Sequence, residues 1–182
     1  MAGDLGTAHT GTGTAAVTAA DHRSFMGTFP TGVAVITSLG GDGRPHGLTC
    51  TSLASVSLCP PTLLVCLGER SGTLEALRGH GAFAVNLLHA GGQDTAELFA
   101  SPDGRRFLLT PWRPAPRSGA PWLTTAAFAT ADCEVSEIVP AGDHAVVFGR
   151  VQALDWRPDT PLLYGLRGFS AWPGPASQRG AS

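Results

Sequence analysis

Short strand-like runs that alternate with turn-forming residues constrain the fold of this chain more than any other feature of its sequence. The runs are rich in β-branched and apolar residues, and they comprise residues 33–38, 46–52, 62–67, 82–88, 127–139 and 144–156. Gly-Gly-Asp-Gly at 40–43 joins the first two runs, and Pro-Ala-Gly-Asp at 140–143 joins the last two. Both connectors have the chemistry of turns between paired strands, so each pair predicts a β-hairpin.

Helical signals are few and short. Ser71 can cap a helix that runs through Arg78, and residues 93–100 place their apolar side chains on one face. Many short strands, hairpin turns and a few short helices describe a closed or nearly closed antiparallel barrel better than a layered α/β fold. The predicted fold is therefore mainly β.

Length and composition predict one domain between two tails. With 182 residues, of which 43% are hydrophobic, the chain can build one compact core. Residues 1–20 are dominated by Gly, Ala and Thr and predict a flexible tail, as do the Pro- and Gly-rich residues 173–182. Residues 21–172 form the predicted domain. The G-x-G-x-x-A sequence at 11–16 follows no strand, so it does not predict a dinucleotide-binding fold.

Charge and cysteine content argue against several classes of function. The formal net charge of −2 does not favour binding to nucleic acid. All 12 basic residues are arginines, which removes chemistry that depends on a lysine Schiff base or a phosphate-loop lysine. The four cysteines lack zinc-ligand spacing, so we expect reduced thiols and no metal site. No leader or membrane-spanning segment is predicted, and we expect a soluble, cytoplasmic protein.

The most informative polar segment is residues 49–57, TCTSLASVS, which holds five hydroxyl side chains and one thiol. The sequence contains no H-E-x-x-H and no G-x-S-x-G motif, so neither metal-dependent nor serine hydrolysis is indicated. Hydroxyls and backbone N–H groups suit the polar edge and ribityl chain of a flavin, and Ser71, Gly72 and Thr73 at a helix start suit its phosphate. Taken alone, Ser and Thr are more often ordinary strand and turn residues.

Four motifs occur in a fixed order along the chain: FPTGVAVIT at 29–37, GLTCTS at 47–52, SVSLCPP at 55–61 and AGDH at 141–144. From about Phe25 to Phe169, the chain resembles the short-chain flavin reductases that supply reduced flavin to separate monooxygenases. The resemblance implies an FMN-binding split β-barrel of Greek-key order, a homodimer, and a flavin that behaves as a substrate or a loosely held cofactor.

The resemblance also implies which residues bind the cofactors. They are Thr49, Cys50, Thr51, Ser52, Val56 and Ser57 along the isoalloxazine and ribityl chain, Ser71, Gly72 and Thr73 near the phosphate, Pro30, Thr31 and Gly32 close by, and Phe169 over the dinucleotide. His144 is expected to position the nicotinamide without being the essential proton carrier; without the motif it would be taken for a strand-opening residue held by the preceding turn. Cys50 is expected to contact the flavin without a redox role.

Several alternatives stay open at the level of sequence. Arg105 and Arg106 either meet phosphates or the adenine, or form an exposed, solvated pair. FAD is expected over FMN, and NADH over NADPH because no arginine is identifiably placed for a 2′-phosphate. A partner monooxygenase is expected to receive the reduced flavin. The competing hypotheses are a split-barrel protein that holds its flavin tightly and acts on an organic substrate, and a non-enzymatic flavin or haem carrier.

Overall fold

The structure, a computed structural model, describes residues 16–174, so most of the predicted tails and nearly all of the sequence 11–16 lie outside the described residues. The helices are α1 Ala19–Met26, α2 Gly72–His80, α3 Gln93–Ala100 and α4 Arg106–Leu109, with a 3-10 turn at Ala90–Gly92. The strands are β1 Thr31–Gly32, β2 Ala34–Leu39, β3 Pro45–Cys50, β4 Ala54–Leu58, β5 Pro61–Gly68, β6 Ala82–Leu88, β7 Trp112–Pro114, β8 Pro121–Leu123, β9 Ala127–Ala141, β10 His144–Trp156, β11 Leu162–Gly165 and β12 Gly168–Ala171. No helix in this part of the chain is long and apolar enough to cross a membrane.

One antiparallel sheet of seven strands dominates the fold, in the order β3-β2-β6-β9-β10-β5-β4. Both predicted hairpins are confirmed, because β2 pairs with β3 and β9 pairs with β10. A small sheet, β1-β11-β12, and a two-stranded ribbon, β7-β8, pack around it. The prediction of a mainly β fold with a few short helices is therefore confirmed.

The large sheet curls around one buried core. Ile36 on β2, Val65 on β5 and Phe83 on β6 lie fully buried in the same cluster, although β2 and β5 are four places apart in the sheet. Helix α2 closes one end of this core with Leu74 and Leu77, which are also fully buried. Each such side chain contributes roughly 1.5–3 kcal/mol of transfer free energy when it leaves water. The curvature brings strands from opposite ends of the sheet close together.

Between β3 and β4 the chain crosses from one edge of the curled sheet to the other. The strand predicted at 46–52 ends at Cys50, two residues early, because Ser52 turns its hydroxyl toward β5. This hydroxyl donates to the Cys66 carbonyl at 2.9 Å and accepts from the Cys66 N–H at 3.0 Å. A side chain therefore replaces the ladder partner that β4, which begins at Ala54, does not supply at this point.

Helix α1 begins at Ala19, inside the segment that the sequence predicts as a tail. It starts with a capping box: the Thr18 hydroxyl accepts from the Asp21 N–H at 3.2 Å, and the Asp21 carboxylate accepts from the Thr18 N–H at 3.0 Å. None of the helix's side chains is buried. The capping box thus stabilises α1 although the helix buries none of its own side chains.

Candidate functional site

A cavity of about 370 Å³ lies where β3, β5 and β10 meet, and we call it the β3 cavity. Its lining residues are Leu48, Thr49, Cys50, Thr51, Ser52, Cys66, Leu67, Gly68 and His144. The fold thus brings the predicted residues 49–52 together with His144, which is remote from them in sequence. Strand pairing explains the meeting, since His144 opens β10 directly opposite Gly68 of β5.

Two of the predicted hydroxyls in the β3 cavity are already used by the fold. The Thr49 hydroxyl donates to the Ala96 carbonyl of α3 at 2.6 Å, and the Ser52 hydroxyl bridges to the backbone of Cys66. Thr51 is exposed, and its side chain has no hydrogen-bond partner within the described residues. Thr49 and Ser52 therefore fix the course of the backbone, and Thr51 is the hydroxyl left available to a ligand.

The Cys50 thiol is buried at the wall of the same cavity. Its Sγ lies 3.1 Å from the Ser52 Oγ. Burial raises the pKa of Cys50, and the hydrogen bond with Ser52 opposes that rise only in part. The thiol is therefore protonated at neutral pH, and because the thiolate is the reactive form, this environment favours a contact role without redox chemistry.

His144 is held by its neighbour in the turn and at the same time lines the β3 cavity. The His144 Nδ1 lies 2.8 Å from the Asp143 Oδ1, and the imidazole is about half exposed, at 51%. The hydrogen bond from His144 lowers the pKa of Asp143, so the carboxylate stays ionised and keeps the ring oriented. Nε2 has no hydrogen-bond partner in the part of the chain that the structure describes. His144 is thus held by the preceding turn, as a strand-opening residue would be, and it also faces a cavity, as a residue that positions a ligand would.

A second cavity of about 270 Å³, the α2 cavity, lies next to the first, and Leu48 lines both. Its lining residues are Pro45, His46, Gly47, Leu48, Ser71, Gly72, Thr73, Gly104, Arg106 and Phe107. All three predicted phosphate-end residues are among them. Ser71 is the N-cap of α2, and its hydroxyl accepts from the Thr73 N–H at 3.2 Å. Free N–H groups in the first turn of a helix favour an anion at this position.

The two neighbouring arginines, left as alternatives by the sequence, have different environments. Arg105 is exposed and pairs with Asp103 at 2.8 Å, which lowers the pKa of Asp103 to about 2. Arg106 lines the α2 cavity and donates to the carbonyls of Gly47, at 2.7 Å, and of Asp103 and Ser101. These three acceptors are neutral backbone carbonyls, so none of the three bonds is an ion pair.

The largest of the three cavities, about 670 Å³, is the α1 cavity. Its lining residues are Arg23, Met26, Gly27, Phe29, Thr31, Thr51, Ser52, Leu53, Ala54, Tyr164, Gly165 and Arg167. It shares Thr51 and Ser52 with the β3 cavity, so the two cavities adjoin at these residues. Of the predicted residues Pro30, Thr31 and Gly32, it is Thr31 that lines this cavity.

The remaining predicted residues lie outside the lining of these three cavities. Val56 and Ser57 are on β4, where Val56 is 46% exposed and the Ser57 hydroxyl accepts from the Cys59 N–H. Gly32 pairs with Leu163 in the small sheet. Two others contact residues that line the α1 cavity. Pro30 packs on Gly165, and the Phe169 ring lies 5.0 Å from that of Tyr164. Their expected contacts with cofactor stay predictions.

Four polar residues line the cavities although the sequence did not assign them there. The α2 cavity has His46 and Arg106, and the α1 cavity has Arg23 and Arg167. Arg106 alone carried a signal, as one of a basic pair that could meet phosphate. The other three approach through tertiary structure, from the β2–β3 hairpin, helix α1 and the β11–β12 turn, and no local pattern marks them.

The sequence matches one family of known proteins over most of its length. Residues 26–173 match the model of the flavin reductase like domain. The chain belongs to the flavin reductase-like family. Solved structures support the fold: the NADH:FAD oxidoreductase SgcE6 of Streptomyces globisporus C-1027, in complex with NAD and FAD fragments, superposes with a TM-score of 0.81 at 32% identity, covering 86% of this chain and 94% of that one. The predicted split barrel is thereby confirmed.

Curated relatives support the predicted class of enzyme. The chain is 53% identical over 156 residues to the flavin reductase (NADPH) of Lentzea aerocolonigenes, covering 86% of this chain and 91% of the relative. It is 45% identical to the flavin reductase (NADH) of Kitasatospora aureofaciens, covering 82% and 80%. The predicted activity, a flavin reductase that uses NADH or NADPH, is therefore confirmed.

Proposed function

We propose that this flavin reductase binds FAD or FMN along β3 and releases it, once reduced, to a separate monooxygenase. The adjacency of the β3 and α2 cavities carries the proposal. One end has the exposed Thr51 and the oriented His144, the other has the α2 N-terminus and Arg106, and Leu48 joins them. A ring system, a polyhydroxylated chain and a phosphate need this order of surfaces.

The donors present fit a flavin at both ends. A phosphate would lie against the first turn of α2 and the charged Arg106, where helix N–H groups and a guanidinium act together. The isoalloxazine would lie against residues 49–52, whose backbone is held by the side-chain bonds of Thr49 and Ser52. The reductase subunit HsaB of a flavin-dependent monooxygenase in Rhodococcus jostii, 40% identical over 159 residues, supports a separate monooxygenase as the recipient.

The proposed reaction needs no nucleophile from the protein. A flavin supplies an acceptor for the hydride of a reduced nicotinamide, and the protein's task is to hold the two rings together and exclude water. The dinucleotide would enter through the α1 cavity, which meets the β3 cavity at Thr51 and Ser52. Asp143 holds the His144 ring so that Nε2 can donate to, or accept from, the nicotinamide carboxamide.

Replacing His144 by Ala is expected to raise the apparent KM for the reduced nicotinamide about three- to tenfold, the worth of one hydrogen bond. The KM for the flavin should change less, because residues 49–52 and the α2 cavity keep their contacts. Steady-state oxidation of NADH and NADPH with FAD in excess measures the nicotinamide KM, and the same assay with FAD varied at saturating nicotinamide measures the flavin KM. A fall in flavin affinity with unchanged nicotinamide KM would show that His144 has been assigned to the wrong ligand.

A homodimer is proposed from the outer face of α1. Phe25 is 70% exposed and Leu166, on the neighbouring turn, is 77% exposed, and neither lines the α1 cavity. An apolar pair beside a helix without buried side chains is the kind of surface that a second copy covers. The interface would then border the α1 cavity.

Replacing Phe25 by Asp is expected to raise the dimer dissociation constant by more than about 100-fold, because burial of an unpaired carboxylate costs several kcal/mol. Light scattering after gel filtration measures the mass. Leu108→Asp is the matched control, since Leu108 is 85% exposed on α4. A Phe25→Asp protein with the mass of the wild type would exclude this face as the interface.

The proposed function is tested by following nicotinamide oxidation with flavin-stripped protein, adding FAD or FMN in turn. Turnover that depends on free flavin, faster with FAD, supports a reductase that releases its product. A protein that stays yellow through purification favours the alternative of a tightly held flavin and an organic substrate. Flavin or haem binding without nicotinamide oxidation would leave only the carrier.

A further inference from the structure

Two arginines face the α1 cavity from different elements. Arg23 comes from α1 and Arg167 from the turn between β11 and β12. Neither forms an ion pair with any carboxylate in residues 16–174. The other walls are largely apolar, with Met26, Phe29 and Tyr164 among them. Two uncompensated cations in a mostly apolar cavity favour a ligand that carries negative charge.

The turn that carries Arg167 has an unusual backbone. Leu166 has φ 50° and Arg167 has φ 61°, so both central residues of the β11–β12 hairpin are left-handed. Hairpin turns of this kind normally use Asn and Gly, because other L-residues are strained there. Strained positions of this sort are concentrated at functional sites. The turn therefore keeps an arginine where glycine would fit the backbone better.

A hydrogen bond links the two arginine-bearing elements. The Leu166 N–H donates to the Gly27 carbonyl at 2.7 Å, at the C-terminal end of α1. The β11–β12 turn is thus fixed relative to the helix that carries Arg23. Two arginines on elements that are tied together at the backbone are suited to joint recognition of phosphate oxygens.

We propose that Arg23 and Arg167 bind a phosphate group of the nicotinamide dinucleotide. The inference rests on the proposed function, because the α1 cavity meets the β3 cavity at Thr51 and Ser52, where the nicotinamide must reach the flavin. A dinucleotide offers two sources of phosphate: the 2′-phosphate of NADPH and the pyrophosphate that NADH also has. Recognition of the first would make this chain selective for NADPH, against the expectation from its sequence.

The test measures equilibrium binding of NADP⁺ and NAD⁺ by calorimetry, without flavin, to the wild type and to Arg167→Gln, Arg167→Gly and Arg23→Gln. Loss of one charge-assisted contact should weaken binding of NADP⁺ about 10- to 100-fold. Weakening confined to NADP⁺ assigns the 2′-phosphate, and equal weakening of both nucleotides assigns the pyrophosphate. Arg157→Gln is the control, because Arg157 is an exposed arginine that lines a different cavity.

Arg167→Gly separates the loss of the charge from damage to the fold. Glycine relieves the left-handed strain, so the melting temperature should rise by about 2–4 °C while affinity for NADP⁺ falls. Unchanged affinity for both nucleotides in Arg167→Gly and Arg23→Gln would overturn the proposal. Flavin-dependent nicotinamide oxidation by the wild type is measured alongside; its absence would refute the proposed function itself, whatever the variants bind.

Discussion

Replacing Arg106 by Met is expected to raise the apparent KM for FMN and FAD about 10- to 100-fold, because one charge-assisted hydrogen bond to the phosphate is lost. Methionine keeps most of the aliphatic stem that packs in the α2 cavity. The measurement is nicotinamide oxidation as a function of flavin concentration. This is the largest effect on activity that we expect from a single substitution in the site.

Riboflavin distinguishes the phosphate contact from structural damage. It has the same ring and ribityl chain but no phosphate, so its KM should be nearly the same in Arg106→Met and in the wild type. If the variant loses riboflavin turnover as severely as FMN turnover, the three bonds from Arg106 to backbone carbonyls are its main function and the phosphate assignment is wrong. Arg105→Met is the matched control, since Arg105 is exposed and pairs with Asp103.

The strands that the sequence predicts correctly are those whose own residues favour an extended and partly buried conformation. Apolar, β-branched runs flanked by Gly and Pro became β2, β5, β6, β9 and β10, because each run is buried on at least one face and its turn residues stop it. Strand β4 is not among the predicted strands, although Ala54, Val56 and Leu58 alternate with serines at period two, because Val56 and Ser57 are assigned to the flavin instead. Its side chains are mostly exposed, so pairing with β5, and not burial of an apolar face, keeps this segment extended.

Three other features are missing from the sequence predictions: helix α1, the β11–β12 turn and the position of Arg106. The first had a local signal, and the other two depend on tertiary structure. Helix α1 had a capping box in Thr18 and Asp21, and the Gly- and Ala-rich composition around it hid that signal. The β11–β12 turn had no Asn or Gly at its centre, so turn chemistry could not reveal it. The Arg106 bond to the Gly47 carbonyl joins residues 59 apart, and only the folded chain places that charge at the α2 cavity.

Replacing Asn86 by Ala is expected to lower the free energy of unfolding by about 3 kcal/mol or more, because unpaired buried polar groups cost about 1–3 kcal/mol each. Asn86 on β6 is fully buried. Its Nδ2 donates to the Val35 carbonyl at 3.1 Å, the Thr37 hydroxyl at 3.2 Å and the Pro121 carbonyl at 3.3 Å. Its Oδ1 accepts from the Leu123 N–H at 2.8 Å. The amide thus ties the β7–β8 ribbon to the large sheet.

Thermal unfolding measures the loss, which should appear as a fall in melting temperature of about 6–12 °C. Gln93→Ala is the control, because Gln93 makes one exposed bond, to Glu97 within α3. Thr37 donates to the same Pro121 carbonyl at 2.6 Å. The double variant of Thr37→Val and Asn86→Ala should therefore lose less free energy of unfolding than the sum of the losses in the two single variants. Strict additivity would mean that the two side chains stabilise the ribbon independently. Because Asn86 lines none of the three cavities, the folded fraction should keep the wild-type KM for flavin.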